Sequence, residues 1–164
     1  MNKPPFRTGH GFDLHIFADD RELILGGVKI PFERGLLGHS DADCVMHALA
    51  DSILGAVALP DIGHLFPDND PDNKDMDSSI ILKRAVNEIR KIGYCCSNVD
   101  ITIIAEHPKL SEYLPKMRVI IAEILKVDGG CVGLKATTHE KIGSLGKGEG
   151  IAAHAVCLLS KIEK

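Results

Sequence analysis

The sequence contains no tryptophan, and aromatic residues make up only 4% of its 164 residues. A protein-binding surface built on aromatic anchors is therefore less expected, since such anchors carry much of the energy of many interfaces. No stretch has the unbroken apolar length of a membrane-spanning helix, so we predict no membrane protein. The net charge of −4 argues against a nucleic-acid-binding surface, because such a surface needs a basic patch.

The five cysteines are odd in number and include no Cys-x-x-Cys spacing. We interpret them as small buried residues of a reducing compartment, neither a disulfide framework nor a thiolate metal site. The N-terminal residues show neither a signal-peptide pattern nor an Arg- and Ser-rich transit segment. We therefore expect a cytoplasmic location, with a plastid-type location only if a transit peptide has been removed.

Hydrophobic residues make up 45% of the chain, which is enough to bury a core in one domain over residues 1–164. The apolar patterns predict the order β-β-α-α-β-α-β-β. The predicted strands cover 7–17, 22–30, 99–105, 131–137 and 151–159, and the predicted helices cover 41–59, 77–91 and 114–126. Strands mixed with helices, together with a predicted C-terminal hairpin, favour an α+β fold over a doubly wound parallel sheet. The last strand is apolar on both faces, which hints at burial against other subunits.

Asp13 and His15 are two residues apart on the first predicted strand, so their side chains should share one face. His47 lies in the first predicted helix. Together the three residues offer one carboxylate and two imidazoles, a ligand set for a catalytic zinc whose fourth position stays open. Mn²⁺ or Fe²⁺ would accept the same ligands. The alternative is that both histidines are structural.

The residues around this trio strengthen the metal hypothesis. Gly9 and Gly11 would leave room for a ligand to approach the backbone. The chain before His47 contains His39, Asp41 and Asp43. These side chains could orient the metal ligands by contacting them, without binding the metal themselves. Ser40 or Asp41 is the expected N-cap of the first helix. The pair Gly26-Gly27 indicates a bulge or a close backbone approach inside the second strand.

Three further segments have the composition of binding loops. The Gly-rich stretch 138–149 offers backbone amides, hydroxyls and lysines to phosphate oxygens, and Glu140 could hold Mg²⁺ or Mn²⁺ between two phosphates. The stretch 105–110 ends a strand and includes Lys109, and 60–76 is a long polar loop. Each could instead be an ordinary surface connection. We interpret the histidines at positions 10, 64, 139 and 154 as structural or surface residues.

Several of these segments, taken together, resemble one enzyme family, the 2-C-methyl-D-erythritol 2,4-cyclodiphosphate synthases of the non-mevalonate isoprenoid pathway. The resemblance is collinear and covers nearly the whole chain. The matching segments are Gly9–His15, Gly26–Pro31, His39–Asp43, Asp61–Asp68, Asn98–Ala105, Lys135–Glu140 and Gly146–Ala152.

The resemblance implies a lyase-type reaction. 4-Diphosphocytidyl-2-C-methyl-D-erythritol 2-phosphate would become the 2,4-cyclodiphosphate and CMP, as the 2-phosphate attacks the β-phosphorus. Because this attack is intramolecular, catalysis should come mainly from positioning and from charge neutralisation. The residues themselves also allow two other functions. One is a zinc-dependent phosphohydrolase of nucleotide diphosphates, and the other is a non-catalytic trimeric module whose zinc joins the strand to the helix.

The resemblance also implies residue roles. It places Zn²⁺ on Asp13, His15 and His47, and Mg²⁺ or Mn²⁺ on Glu140, while His39 and Thr138 would be the catalytic residues that orient substrate and steady the transition state. In the first half of the chain, the implied substrate-binding residues are Asp13, Leu14, His15, His39, Ser40, Asp61, Ile62, Gly63, Phe66, Pro67, Asp68, Asn69 and Asp70. Of these, Ser40 and the Asp61–Asp70 loop match the methylerythritol-phosphate side. In the second half they are Ala105, Glu106, His107, Pro108, Lys109, Leu110, Ser111, Thr137, Thr138, His139, Glu140, Ser144 and Lys147. Of these, Ala105–Ser111 and Thr137–Thr138 match the cytidine side.

The family forms homotrimers whose sheets pack around the trimer axis and whose active sites lie between subunits. The resemblance therefore implies that this chain supplies half of each site, the other half coming from a second copy. Three positions depart from the family pattern, with Lys147 where Arg is usual, Ser144 where Phe is frequent and Leu110 where Met is common. Lysine keeps the positive charge of arginine but not its bidentate geometry, so phosphate contacts there are less certain.

Overall fold

A computed structural model describes residues 4–67, 73 and 75–162. The strands are β1 (Phe6–Ala18), β2 (Leu23–Leu25), β3 (Val28–Ile30), β4 (Gly35–Leu36), β5 (Tyr94–Ile104), β6 (Val132–Thr137) and β7 (Gly150–Lys161). The helices are α1 (Cys44–Ala56), α2 (Ile62–Leu65), α3 (Ser78–Lys91), α4 (Leu114–Leu125) and α5 (Gly143–Gly146), with a 3₁₀ turn at Gly129–Cys131. None of the helices in these residues is both long and apolar enough to cross a membrane.

The main sheet has five strands in the order β4-β1-β7-β5-β6. β7 is antiparallel to both β1 and β5, whereas β5 and β6 are parallel. This mixed sheet confirms the predicted α+β class. The predicted C-terminal hairpin is wrong, because β5 lies between β6 and β7. The chain crosses from β5 to β6 through α4, as a parallel pair requires.

The helices cover one face of the sheet, and α1 lies directly against β1 and β7. Gly9 and Gly11 allow this close approach. A Cβ atom at Gly9 would lie 1.9 Å from Ser52 O, and one at Gly11 would lie 1.9 Å from Ala48 O. The interpretation that these glycines admit a ligand is therefore wrong, because the backbone of α1 occupies the space beside them.

The segment 22–30 is a hairpin of two short strands, not the single predicted strand. Leu25 pairs with Val28, which leaves Gly26 and Gly27 as a two-residue turn with φ of 56° and 75°. Positive φ at both positions favours glycine. The carboxylate of Asp43 accepts hydrogen bonds from both glycine amides, at 2.9 and 2.7 Å.

Asp43 is also the N-cap of α1, since its carboxylate accepts from the amides of Val45 and Met46. The predicted cap at Ser40 or Asp41 is wrong by two or three residues. Asp43 is fully buried, and this burial raises its pKa to about 6 despite the four amides. One carboxylate thus joins the hairpin turn to the first turn of the helix.

The opposite face of the sheet carries exposed apolar side chains. They are Phe6, Phe12, Leu14 and Ile16 on β1 and Val156 on β7. His10 and His154 lie among them, with 3.2 Å between Nε2 of His10 and Nδ1 of His154. Within the described part of the chain, β7 is therefore covered on one face and open on the other. We call this surface the open sheet face.

All five cysteines are free in the structure. Cys44, Cys96 and Cys157 are buried, whereas Cys95 and Cys131 are half-buried. Burial raises the pKa of Cys96 to about 12, so that thiol stays protonated at neutral pH. The three buried residues behave as the small apolar groups that the sequence predicts.

Candidate active site

Asp13, His15 and His47 converge at the junction of β1 and α1. Asp13 Oδ2 lies 2.9 Å from His15 Nε2 and 3.0 Å from His47 Nδ1, and the two imidazole nitrogens are 3.3 Å apart. One carboxylate oxygen and two nitrogens so close together could hold a metal ion. Strand alternation places Asp13 and His15 on one face, and α1 delivers His47 to them.

The other ring nitrogen of each histidine has a partner that determines its protonation. His15 Nδ1 lies 2.7 Å from Leu37 O, which can only accept, so Nδ1 carries a hydrogen and Nε2 is left for a metal. His47 Nε2 lies 2.8 Å from Ser78 Oγ, and that hydroxyl donates to Asp41 Oδ1. Ser78 therefore accepts from His47 Nε2, which leaves Nδ1 for the metal.

The electrostatics of the trio also favour cation binding. Burial alone would raise the pKa of Asp13, but the hydrogen bonds and charges of His15 and His47 hold it well below its usual value. Burial would lower the pKa of His15, but the hydrogen bond and charge of Asp13 outweigh burial and raise it. A bound cation would replace the protons that these three atoms share. The chemistry of the donor set therefore fits a divalent metal.

The trio opens into a cavity of ≈ 290 Å³, which we call the metal-side cavity. His39 and Ser40 line it beside the trio, and Ile62, Gly63 and Phe66 line it from the α2 segment. The remaining lining residues are Gly38, Asn73, Met76 and Ile81. Sequence reasoning named none of these four individually, although Asn73 and Met76 fall in the predicted binding loop 60–76, and it also missed Ser78. Ser78 begins a predicted helix, but only the tertiary structure brings its hydroxyl against His47.

A side-chain hydrogen bond joins the α2 segment to α1. Asp51 Oδ1 accepts from Ile62 N at 2.9 Å, and Asp61 is the N-cap of α2, accepting from His64 N. Pro67, the last described residue before the gap at 68–72, is exposed. The predicted residues Asp68, Asn69 and Asp70 lie outside the described residues.

Leu14 is placed differently from its neighbours. Its side chain is 45% exposed and lies on the open sheet face, opposite Asp13 and His15. Only its backbone could therefore contact a molecule in the metal-side cavity. Strand alternation, the rule that pairs Asp13 with His15, separates the Leu14 side chain from both.

A second cavity of ≈ 520 Å³ lies between the end of β5 and the end of β6, and we call it the strand-end cavity. The predicted residues that line it are Ala105, Glu106, His107, Pro108, Lys109, Leu110, Ser111, Thr137 and Thr138. The peptide bond between His107 and Pro108 is cis. Among the described residues, none lines both this cavity and the metal-side cavity.

The loop after β6 is exposed and carries Thr138, His139 and Glu140. Thr138 Oγ1 lies 3.2 Å from Glu140 Oε1. Within the described part of the chain, Glu140 belongs to no group of three potential metal ligands. Ser144 lies in α5 and Lys147 caps its end, and both are exposed.

Known proteins match this chain along nearly its whole length. The YgbB family profile matches residues 6–160. The 2-C-methyl-D-erythritol 2,4-cyclodiphosphate synthases of Klebsiella pneumoniae (strain 342) and Escherichia coli O6:K15:H31 are each 54% identical over 158 residues, which cover 96% of this chain and 99% of each relative.

Solved structures are also similar to this chain. The bifunctional IspDF of Campylobacter jejuni matches with a TM-score of 0.92 and 42% identity, over 96% of this chain and 43% of that one. The CDP complex of IspF from Plasmodium falciparum matches with a TM-score of 0.86 and 37% identity, over 99% of this chain and 100% of that one.

Proposed function

The chain belongs to the YgbB family, and we propose from this premise that its two cavities form complementary halves of a 2-C-methyl-D-erythritol 2,4-cyclodiphosphate synthase active site. The enzyme is a phosphorus–oxygen lyase of isoprenoid precursor biosynthesis. Its substrate is 4-diphosphocytidyl-2-C-methyl-D-erythritol 2-phosphate. A 2-phosphate oxygen attacks the β-phosphorus, the bond from that phosphorus to the bridging oxygen breaks, and CMP leaves with that oxygen.

The observation that carries the proposal is the Asp13–His15–His47 trio opening into a cavity lined by His39 and Ser40. A donor set of one carboxylate and two imidazoles, without thiolate, fits Zn²⁺. Zinc bound there would supply a Lewis acid that polarises a diphosphate oxygen. His39 and Ser40 line the metal-side cavity beside the trio, where they orient the methylerythritol-phosphate end of the substrate.

The strand-end cavity receives the cytidine end. It lies where backbone groups of 105–111 can recognise a base, and Thr138 presents its hydroxyl at the edge. Glu140 is exposed two residues later, and its carboxylate would hold Mg²⁺ or Mn²⁺, hard cations that prefer oxygen ligands and would neutralise diphosphate charge. With the attacking and leaving groups in one molecule, catalysis consists mainly of alignment.

We further infer that the enzyme is a homotrimer whose active sites lie between subunits. Two features support this. The metal-side and strand-end cavities share none of the lining residues that the structure describes, so a second copy can bring one half against the other. The open sheet face exposes Phe12, Leu14, Ile16 and Val156, and apolar patches of this kind mark protein interfaces. We also propose a cytoplasmic location, which accords with the bacterial source of the relatives.

The test is a product assay on the purified protein with Zn²⁺ and Mg²⁺. CMP and the cyclic diphosphate should form in equal amounts. A linear product would contradict cyclisation, and ¹⁸O from solvent in that product would indicate a metal-bound water as nucleophile. His47→Ala should abolish zinc binding and cyclisation while the protein keeps its oligomeric state. Dissociation or aggregation of that variant would indicate a structural metal instead.

A further inference from the structure

The side chain of Glu106, just after β5, reaches the loop that follows β6. Its Oε1 accepts hydrogen bonds from His139 N at 2.9 Å and from Lys141 N at 3.2 Å. These two amides flank Glu140, so one oxygen holds the loop on both sides of that residue. Amides of residues i and i+2 that converge on one anion form a nest. In this nest the anion is the carboxylate of Glu106, a residue of the same chain.

The loop needs this support because its backbone is unfavourable. Glu140 and Lys141 have φ of 50° and 62°, in the left-handed region that side chains with a Cβ rarely adopt. Thr138 Oγ1 lies 3.3 Å from Glu140 N, but this contact is internal to the loop. Glu106 links the same segment to the end of a central strand. Strained backbone persists where surrounding contacts over-determine it.

The structure gives the Glu106 side chain and the loop amides different roles from those that the sequence suggests. The sequence suggests that the loop amides bind phosphate oxygens and that Glu106 belongs to the cytidine site. In the structure, the amides of His139 and Lys141 are occupied by Glu106. These charge-assisted hydrogen bonds also partly neutralise the negative charge of the Glu106 carboxylate, which would otherwise repel a diphosphate.

We propose that Glu106 is a positioning residue of the cyclisation reaction. Its side chain holds residues 138–141 in the conformation that presents Thr138 and Glu140 to the substrate diphosphate, and this side chain does not itself contact the substrate. This inference rests on the proposed function, since Thr138 and Glu140 have their roles only where a diphosphate binds. The role it gives Glu106 is to fix the conformation of the loop.

Three variants of the full-length enzyme test the proposal. Glu106→Ala removes both hydrogen bonds, whereas Glu106→Gln keeps a side-chain oxygen of equal reach that can accept two hydrogens. Glu112→Ala, which removes an exposed carboxylate shortly before α4, is the matched control. Each is assayed for CMP release against substrate and Mg²⁺ concentration. Zinc content and amide hydrogen exchange of residues 138–141 are measured on the same samples.

Glu106→Ala should lower kcat/KM by about tenfold or more, from the loss of hydrogen bonds to a charged group. The Mg²⁺ concentration for half-maximal rate should rise, and the amides of His139 and Lys141 should exchange faster. Zinc content should not change. Glu106→Gln should stay within about threefold of the wild type, since an uncharged oxygen still accepts both hydrogen bonds.

The proposal fails if Glu106→Ala matches Glu112→Ala in both kinetics and exchange. It also fails if Glu106→Gln is as inactive as Glu106→Ala while its exchange is that of the wild type, because the charge would then act on the substrate directly. If Glu106→Ala does not fold, Glu106→Asp, one methylene shorter, replaces it. A wild-type protein that releases no CMP would contradict the proposed function, and exchange would separately report whether Glu106 holds the loop.

Discussion

Nε2 of His47 lies 2.8 Å from the hydroxyl oxygen of Ser78, which donates its own hydrogen to Asp41. This chain of two hydrogen bonds determines which nitrogen of His47 faces Asp13 and His15. Partners of this kind typically contribute 10- to 100-fold to metal affinity, as an order-of-magnitude range. The structure therefore predicts an effect on metal binding from a residue that offers no metal ligand.

Ser78→Ala should weaken zinc binding by about tenfold, at the lower end of that range because Ser40 Oγ also lies 3.2 Å from His47 Nε2. Competition titration with a chromogenic chelator measures the change. Ser97→Ala is the matched control, since Ser97 Oγ instead contacts Ser160 on the neighbouring strand. Equal zinc affinity in both variants would show that Ser78 does not orient His47.

Gly11→Ala should destabilise the protein by about 3 kcal/mol, because the new Cβ would lie 1.9 Å from Ala48 O and α1 would have to move. Urea unfolding followed by circular dichroism measures the change. Gly55→Ala, in α1, should instead gain about 0.5–1 kcal/mol, because among the described residues no atom beyond its chain neighbours and the adjacent helix backbone lies within 4 Å of the added Cβ. The two alanines thus have opposite expected signs, and a tolerated Gly11→Ala would contradict the close helix–strand contact.

Asp51 should make stability depend on pH. Burial raises its pKa above the usual 3.8, so the folded protein binds this proton more tightly than the unfolded chain does. Its stabilising contribution is present below pH 3.8 and is lost as the pH rises through the raised pKa. Asn at this position is uncharged throughout, and its side-chain oxygen can still accept from Ile62 N.

The Tm difference, Asp51→Asn minus wild type, should therefore increase between pH 3.5 and 7, and calorimetry over that range measures it. Asp20→Asn, in the exposed turn after β1, corrects for the general effect of removing a carboxylate. A difference that stays constant or falls with pH would show that burial does not raise the pKa of Asp51.

Val156→Asp should dissociate the proposed trimer and abolish cyclisation, because it introduces a charge on the open sheet face opposite His10. Light scattering coupled to size-exclusion chromatography measures the mass. Val119→Asp is the matched control, since Val119 is 57% exposed on α4, away from this face. A trimeric and active Val156→Asp would show that the open sheet face is not the subunit interface.

The elements with strong local patterns are those that the sequence predicts well. α3 begins at Ser78 with Asp77 as its cap, and α4 covers Leu114–Leu125, both within a residue of their predicted ranges. The burial of Val99, Ile101 and Ile103 also follows the period of two expected for a half-buried strand. These features depend on near neighbours in the chain, so local physical chemistry suffices.

The errors share a different cause, which is contact between distant segments. Asp43 caps α1 while also binding the Gly26-Gly27 turn, and both strand partners of β7 precede it by many residues. Gly11 lies inside β1, and only the packing of α1 explains why a Cβ has no room there. Such contacts leave little local signal in one sequence.

By itself, the sequence determined the α+β class, the metal ligand types and the face that Asp13 shares with His15, because strand alternation and side-chain chemistry are local properties. Only the tertiary structure decided that His47 meets them and that Ser78 and Leu37 orient the rings. It also decided that the metal-side and strand-end cavities lie apart on one chain. The physical reason is that these contacts join atoms remote in sequence, whose distances are set by packing of α1 against the sheet.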